Sequence, residues 1–515
     1  MLGSIKPLFY IEALMIIGLL LVNALASREG RRQLDGRMMA MVLGMPPLGF
    51  LLPGGRYAYM AVILISLPLL ARNRPEAARL YVTGLPLMPM LTFPLMLPEP
   101  IGLLFAIGTP EMLTLAFLIT FAIHRRTGPV RGNALDGAAI LLWLCMAIIA
   151  IHSATSAVTL THVLRSLVST ALPTVIPYFL VSRSLVRAEH LRLLIRSLAI
   201  SGLLLSVVAL FEMVKHWQIY GGMYGHLGID PPVEGYAVRL RGGFLRSPGS
   251  FGESTSFGAF LAVASLAVVY SRGLFRSRLH QAAAITLMIG GLLATSSRGG
   301  WAAFIVGLLC VQLYRGRIWR VVTVIGLCVA GYAMVNLVGS ADPRLGEFLG
   351  VAGHAARTAD YREDLLSTGL QQIMKRPVFG FDRPSLTAAL GDMVQGEGIV
   401  DFVNVYLFVA LSAGLVGLGM FLSSFAVLAA WLGKIRSTLR RSAEFREPLA
   451  FVVATAGGLG MVLIVQSWTE RNPYWVILLF ALGRALQRTV ENSRKAARKA
   501  TGEGAAPVPA AALPA

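Results

Sequence analysis

The chain has 515 residues, 56% of them hydrophobic and 14% charged, and a net charge of +20. A soluble domain carries roughly 25% charged residues, so the composition excludes a soluble enzyme on a single membrane anchor. It also argues against nucleic acid as a partner: the excess charge sits in short loops and a basic tail, where anionic lipid headgroups account for it, and no soluble domain is left to carry a groove.

In chain order the apolar spans are expected at about 8–26, 38–53, 57–71, 80–97, 101–123, 137–155, 166–181, 197–214, 251–270, 281–296, 300–314, 321–339, 402–432, 449–467 and 474–487, each long enough or nearly so to cross a bilayer. The loops at 27–37, 72–79, 124–136, 182–196, 271–280, 315–320 and 434–448 carry three to five Lys or Arg each, and the short loops between them none or one. This alternation is the positive-inside pattern. The expected fold class is therefore all-α, a polytopic helical membrane protein with about 12–15 transmembrane helices and two long outer loops.

The expected organisation is 1–214 N-terminal helices, 215–250 a first long outer loop, 251–339 central helices, 340–400 a large outer loop with an amphipathic helix, 401–490 C-terminal helices and 491–515 a disordered cytoplasmic tail. The N-terminus is placed outside and the C-terminus inside. Ala24-Leu25-Ala26 resembles a signal cleavage site, but Arg28, Arg31, Arg32 and Arg37 follow at once, so the first helix reads as retained. Pro46-Pro47 with Gly54-Gly55, and Pro173 with Pro177, mark 38–71 and 156–181 as places for a re-entrant or interfacial segment. Cys145, Cys310 and Cys328 lie in apolar spans and read as small core residues.

The polar residues that could carry chemistry concentrate outside. RLRGGFLRSPGSFGESTSFGAFL, 239–261, places Arg239, Arg241 and Arg246 before Glu253 at the mouth of a helix. Three guanidiniums so close suit a phosphate or pyrophosphate, which Arg binds bidentately; the competing reading is surface arginines on headgroups. TSSRGGWAAF, 295–304, puts Arg298 in a tight outer turn. In 358–384 a helix is expected to end before Pro377, with Asp360 as its cap and Arg362 in its first turn, where a cation is unfavourable. That position suggests an anionic ligand; the alternative is an amphipathic helix lying on the membrane. Asp392, Glu397 and Asp401 precede the span from 402, and a carboxylate at that boundary could act as a general base. WTERNPYW, 468–475, is a further outer turn carrying Glu470 and Arg471. Glu111 falls mid-span in 101–123, and His216, His226 and His354 are isolated. No HExxH, paired Cys/His cluster or DxD-like carboxylate pair is present, so no catalytic metal is expected.

Taken in order, these segments resemble the O-antigen ligase and polysaccharide polymerase family of bacterial inner membranes, over about 235–480. The 239–261 segment is similar to the family's Arg…Gly-x-Phe…Pro entry into a helix, and TSSRGG to its Ser-Arg-Gly turn. YREDLLSTGLQQIMKRPVFGFD is similar to its Arg…helix…Pro-x-x-Gly-x-Gly loop, and FVNVYLFVALSAGLVGL to its His-Asn-x-Tyr…Gly helix start. Two positions depart: Val403 stands where the family has His, and Asp382 where the loop has its final Gly.

The resemblance implies glycosyl transfer at the periplasmic face of the inner membrane from undecaprenyl-pyrophosphate-linked glycans, with no cofactor. The implied pyrophosphate site is Arg239, Arg241, Arg246, Arg298 and Arg362, and Glu253 and Asp401 are the candidates for activating the acceptor hydroxyl. Membrane lipids, a flippase and a chain-length regulator are the implied partners. The missing His favours a polymerase of exopolysaccharide or O-antigen repeat units over an O-antigen or protein O-glycan ligase. A lipid-linked glycan transporter or flippase is the alternative of another class; such a protein should show midplane charges and broken helices in matching halves.

Overall fold

The structure is a computed structural model that describes residues 2–52, 55–89, 91–96, 103–124, 132–154, 160–223, 227, 238–341, 346–347, 354–394, 400–437, 442–468 and 472–500. Among the described residues six helices are long and apolar enough to cross a membrane: Leu2–Leu25, Ala134–Ala154, Leu160–Ser184, Ala188–Lys215, Val405–Lys434 and Ala443–Val465. Shorter apolar helices, Arg56–Leu70, Thr109–Ile123, Ser254–Tyr270, Arg278–Ala294, Arg298–Tyr314 and the first part of Ile318–Ala341, run among them. The chain is an all-α polytopic membrane protein.

Ala188–Lys215 is the central post and is almost wholly buried. Small residues let its neighbours close on it: Gly202 faces Ala264 and Met288, and Ser206 meets Gly291. Such close backbone approach replaces the hydrophobic drive that lipid removes.

The seven basic loops gather at one end of the bundle. Arg79 pairs with Asp35 at 2.7 Å, and Arg196 with Glu29 at 2.7 Å and Glu447 at 3.5 Å. Ser27 Oγ donates to Gly273 O, Arg436 Nε to Tyr314 O and Arg74 to Phe121 O. Asp136 holds Arg484 of the last helix, Asn472–Ala500, at 2.9 Å. Loops chosen by charge alone are thus physical neighbours.

Several sequence expectations change. The spans at 80–97 and 101–123 are shortened by an antiparallel hairpin, Thr92–Met96 with Leu103–Gly108, because Pro89 and Pro94, just beyond the helix Arg74–Leu87, withhold the amide protons a longer helix would need. Glu111 consequently lies in the first turn of Thr109–Ile123 rather than mid-span, where it accepts from Tyr474 Oη at 2.5 Å. Pro46 and Pro47 follow a π-helical turn, Ala40–Gly44, and fall in the first turn of Met45–Leu51, where a helix makes least use of amide protons. Leu160–Ser184 is one helix despite Pro173 and Pro177.

The span at 402–432 is broken. Gly414 has φ 67° and ψ −171°, and the helix folds sharply there, so that the Tyr406 and Phe421 rings stand 5.8 Å apart across the bend. The segment Pro377–Phe381 seals the break. Leu415 N donates to Pro377 O at 2.7 Å, Val416 N to Val378 O at 3.3 Å, and Phe381 N to Leu411 O at 2.7 Å. A Cβ on Gly380 or Gly414 would overlap the opposite backbone. Irregular backbone at this depth survives because another segment satisfies it. Asp382, at φ −69°, needs no glycine; it starts the helix Arg383–Ala389 and lies 3.6 Å from Arg376.

Candidate functional site

At the end of the bundle opposite the basic loops, a cavity of about 520 Å3 opens between the starts of Ser254–Tyr270 and Arg298–Tyr314, the end of Ala443–Val465 and the amphipathic helix His354–Lys375. Arg239, Arg241, Arg246, Arg298 and Arg362 all line it, as do Glu253 and Asp401. Five guanidiniums from three separate chain segments therefore face two carboxylates.

The first three arginines ride on a tight hairpin, Leu240–Arg241 paired with Phe244–Leu245. Gly242 and Gly243, at φ 57° and 81°, make its two-residue turn, which demands positive φ. His216 Nε2 lies 2.8 Å from Gly243 O and pins that turn. Beyond the hairpin, Ser247 Oγ and Gly249 N donate to the fully buried Glu212 carboxylate at 2.5 and 3.0 Å, and Ile219 N does so at 3.0 Å. One acid at the end of the central post thus holds both ends of the loop.

Arg298 opens its helix two residues after Ser296, which has φ 49°. Ser296 is a strained non-glycine residue, and its carbonyl accepts from Arg241 at 2.8 Å. Ser297 caps the helix by accepting from Gly300 N. Gly300 packs directly on the Gly258 backbone, which fixes the turn beside the mouth of Ser254–Tyr270.

Arg362 is not in a first turn. Its helix begins at His354, eight residues earlier, and Arg362 shares the face of Leu365 and Gly369 that packs on Leu407. Asp360 is accordingly within the helix and not its cap. Arg362 donates to Val465 O at 3.3 Å. The hydrogen bonds that seat Arg241 and Arg362 thus go to neutral carbonyls, which leave the cationic charge in place. Burial, followed by the nearby guanidiniums, pushes Arg246 down to about 10, and burial with Arg298 lowers Arg241 and Arg362. Each shift is the cost of crowding like charges in a half-dry site, and an anion would relieve it.

The two carboxylates differ. Glu253 precedes Ser254–Tyr270, and its two oxygens are taken by the Thr255 and Ser256 hydroxyls. Asp401 accepts from Ser467 Oγ on one oxygen, at 2.6 Å, while its main-chain carbonyl accepts from Tyr361 Oη at 3.1 Å. Val403 lines the cavity, and the Asn404 side chain is occupied as a helix cap, accepting from Leu407 N.

Tyr361, Ser296, Gln466 and Ser467 also line the cavity and were not anticipated. Gln466 donates to Thr255 O at 3.2 Å and to Ser297 Oγ at 3.3 Å, tying two walls together. Its one sequence signal is a polar residue closing an apolar span. Asp392 is exposed and does not line the cavity. His226, Glu397, Glu470 and Arg471 lie outside the described residues. Among the described residues no three His, Cys, Asp or Glu side chains group closely enough to hold a metal ion.

Bundle and cavity together define a membrane-embedded protein with a polycationic chamber at the end opposite its basic loops. Residues 282–422 match the family model described as O-Antigen ligase. Over that segment the chain carries a domain similar to the O-antigen ligase family. The match includes Arg298, Arg362, Asp401 and the bend at Gly414, whereas the 239–253 segment lies before it. No curated protein matches the chain.

Proposed function

We propose that this protein is a polysaccharide polymerase that joins undecaprenyl-pyrophosphate-linked repeat units at the periplasmic face of the inner membrane. The observation that carries the reading is the convergence of five arginines on one cavity, at the end of the bundle away from the basic loops. A lipid pyrophosphate is a competent leaving group, so the enzyme's work is to position two lipid-borne sugars and to stabilise charge on the departing pyrophosphate.

In this reading the acceptor hydroxyl oxygen attacks the anomeric carbon of the donor. The new C–O bond forms as the bond to pyrophosphate breaks, and the leaving oxygen takes the electron pair into the field of the arginines. The hydroxyl proton passes to Asp401, whose second oxygen carries no hydrogen bond among the described residues, whereas both oxygens of Glu253 are engaged. Glu253 then orders the helix mouth.

A ligase is the second reading, favoured by the description of the matching family. Val403, an apolar side chain on the cavity wall where the family places His, favours the polymerase. The size distribution of lipid-linked glycans in a strain lacking the protein separates them. Single repeat units left on the lipid support the polymerase. Long lipid-linked chains that never reach an acceptor support the ligase, and glycan flux across liposomes without bond formation would sink both.

A further inference from the structure

The helix His354–Lys375 has two apolar faces, and only one of them is used. Leu365, Gly369 and Ile373 pack against the bent helix around Leu407 and Leu411. Beside them Leu366, Leu370 and Met374 form a second row at i, i+4 and i+8, with Met374 75% exposed. The row continues past the helix end into Val378 and Phe379, which are 55% and 56% exposed. No described segment covers it, and a contiguous apolar patch of this kind marks an interaction surface.

What lies beside the row identifies its partner. The carbonyls of Pro377 and Val378 bond to the amides of Leu415 and Val416 at the start of the membrane-crossing arm. Leu415 and Leu422, seven residues apart on one face of that arm, are themselves exposed on a helix apolar enough to cross a membrane, so this face is the one a bilayer would cover. The unpartnered row therefore runs on from the lipid-facing surface of the bundle. Charge is graded to match: Glu363 and Asp364 are exposed at the far end of the row, while Lys375 and Arg376 flank its apolar end, where long cations reach headgroups.

We propose that the row Leu366, Leu370, Met374, Val378 and Phe379 is a membrane-docking surface, seated among the acyl chains of the leaflet nearest the cavity. The segment between the central and C-terminal helices is then an interfacial helix and not a free loop. Arg362 lies one turn before Leu366, so the same helix reaches from the lipid surface into the arginine cavity. The inference rests on the fold and the exposed row and stands whether the enzyme is a polymerase or a ligase.

The test is spin-label accessibility in proteoliposomes of zwitterionic and anionic phospholipid. Cysteines replace Leu366, Met374 or Phe379 singly in the chain freed of Cys145, Cys310 and Cys328, with Glu363→Cys as the water reference and Leu415→Cys as the lipid reference. The expected result is a ratio of oxygen to nickel-chelate collision severalfold higher at Met374 and Phe379 than at Glu363, close to that at Leu415. Ratios equal to that at Glu363 would overturn the proposal. So would exclusion of both reagents, which would mean a protein partner covers the row. If the cysteine-free chain does not reconstitute, Phe379→Trp in the otherwise native chain serves. Added fluorescence quenched by brominated acyl chains supports docking, and added fluorescence quenched only by aqueous iodide rejects it.

Discussion

Glu212 accepts the Ser247 hydroxyl at 2.5 Å, and this bond joins the central post of the bundle to the loop that carries three of the five cavity arginines. The same carboxylate takes the amides of Gly249 and Ile219. Glu212→Gln presents an NH2 group where only acceptors fit, so a buried donor loses its partner at a cost of about 1–3 kcal/mol. We expect a lower thermal midpoint in detergent and weaker donor binding, with Ser247→Ala milder than either Glu212→Gln or Glu212→Ala. Unchanged binding in Glu212→Gln would show that the loop does not depend on this clamp.

Arg298 starts its helix with a cation at the positive end of the dipole, beside Arg241 and Arg362. Such an arrangement is useful only with an anion present. Arg298→Lys keeps the charge but loses the planar fork. Removing one charge-stabilising donor from a preorganised site costs about 10²- to 10³-fold in turnover. We expect a loss of that order in glycan polymerisation by membranes that still contain normal amounts of the protein. Full activity would remove Arg298 from the site.

Asp401 and Glu253 face the same cavity with different hydrogen-bond loads. If Asp401 takes the acceptor proton, Asp401→Asn lowers turnover by about 10²- to 10⁴-fold with little change in donor affinity. Glu253→Gln keeps an acceptor for one of its hydroxyls, and its effect is expected to be smaller. The reverse order, measured as initial rates against donor concentration, would move the proton to Glu253.

Gly380 and Gly414 are locked back to back, each with positive φ and each in contact with the other's strand of backbone. Alanine at either position is strained and sterically excluded. We expect Gly380→Ala and Gly414→Ala each to destabilise the seat of the amphipathic helix by about 1–3 kcal/mol, read as faster proteolysis near residue 377. Asp382→Gly is the contrasting case. Its ion pair with Arg376 is largely exposed, so the change should be worth under about 1 kcal/mol.

The residues that line the cavity were legible because charged side chains are rare in this chain and each one away from the basic loops needs a reason. Arg239, Arg241, Arg246, Arg298, Arg362, Glu253 and Asp401 stand in four separated stretches, and the fold brings all seven to one cavity. Ser296, Gln466 and Ser467 escaped because a single small polar residue at a span end carries no pattern. Glu212 escaped because its partners lie 7 to 37 residues away.

Hydropathy and loop charge by themselves determined the membrane class, the order of the spans and the grouping of the basic loops, since burying apolar length and keeping arginine out of lipid are local demands on the chain. Only the tertiary structure decided the rest. The fold of the 402–432 span at Gly414 depends on the Pro377–Phe381 segment supplying the missing hydrogen bonds from 30 to 38 residues away. The hairpin at 92–108 needs two strands to meet, and the depth at which Arg362 points into the cavity depends on a helix that begins eight residues before it. Those are non-local hydrogen bonds and packing contacts, and periodicity along the chain does not encode them.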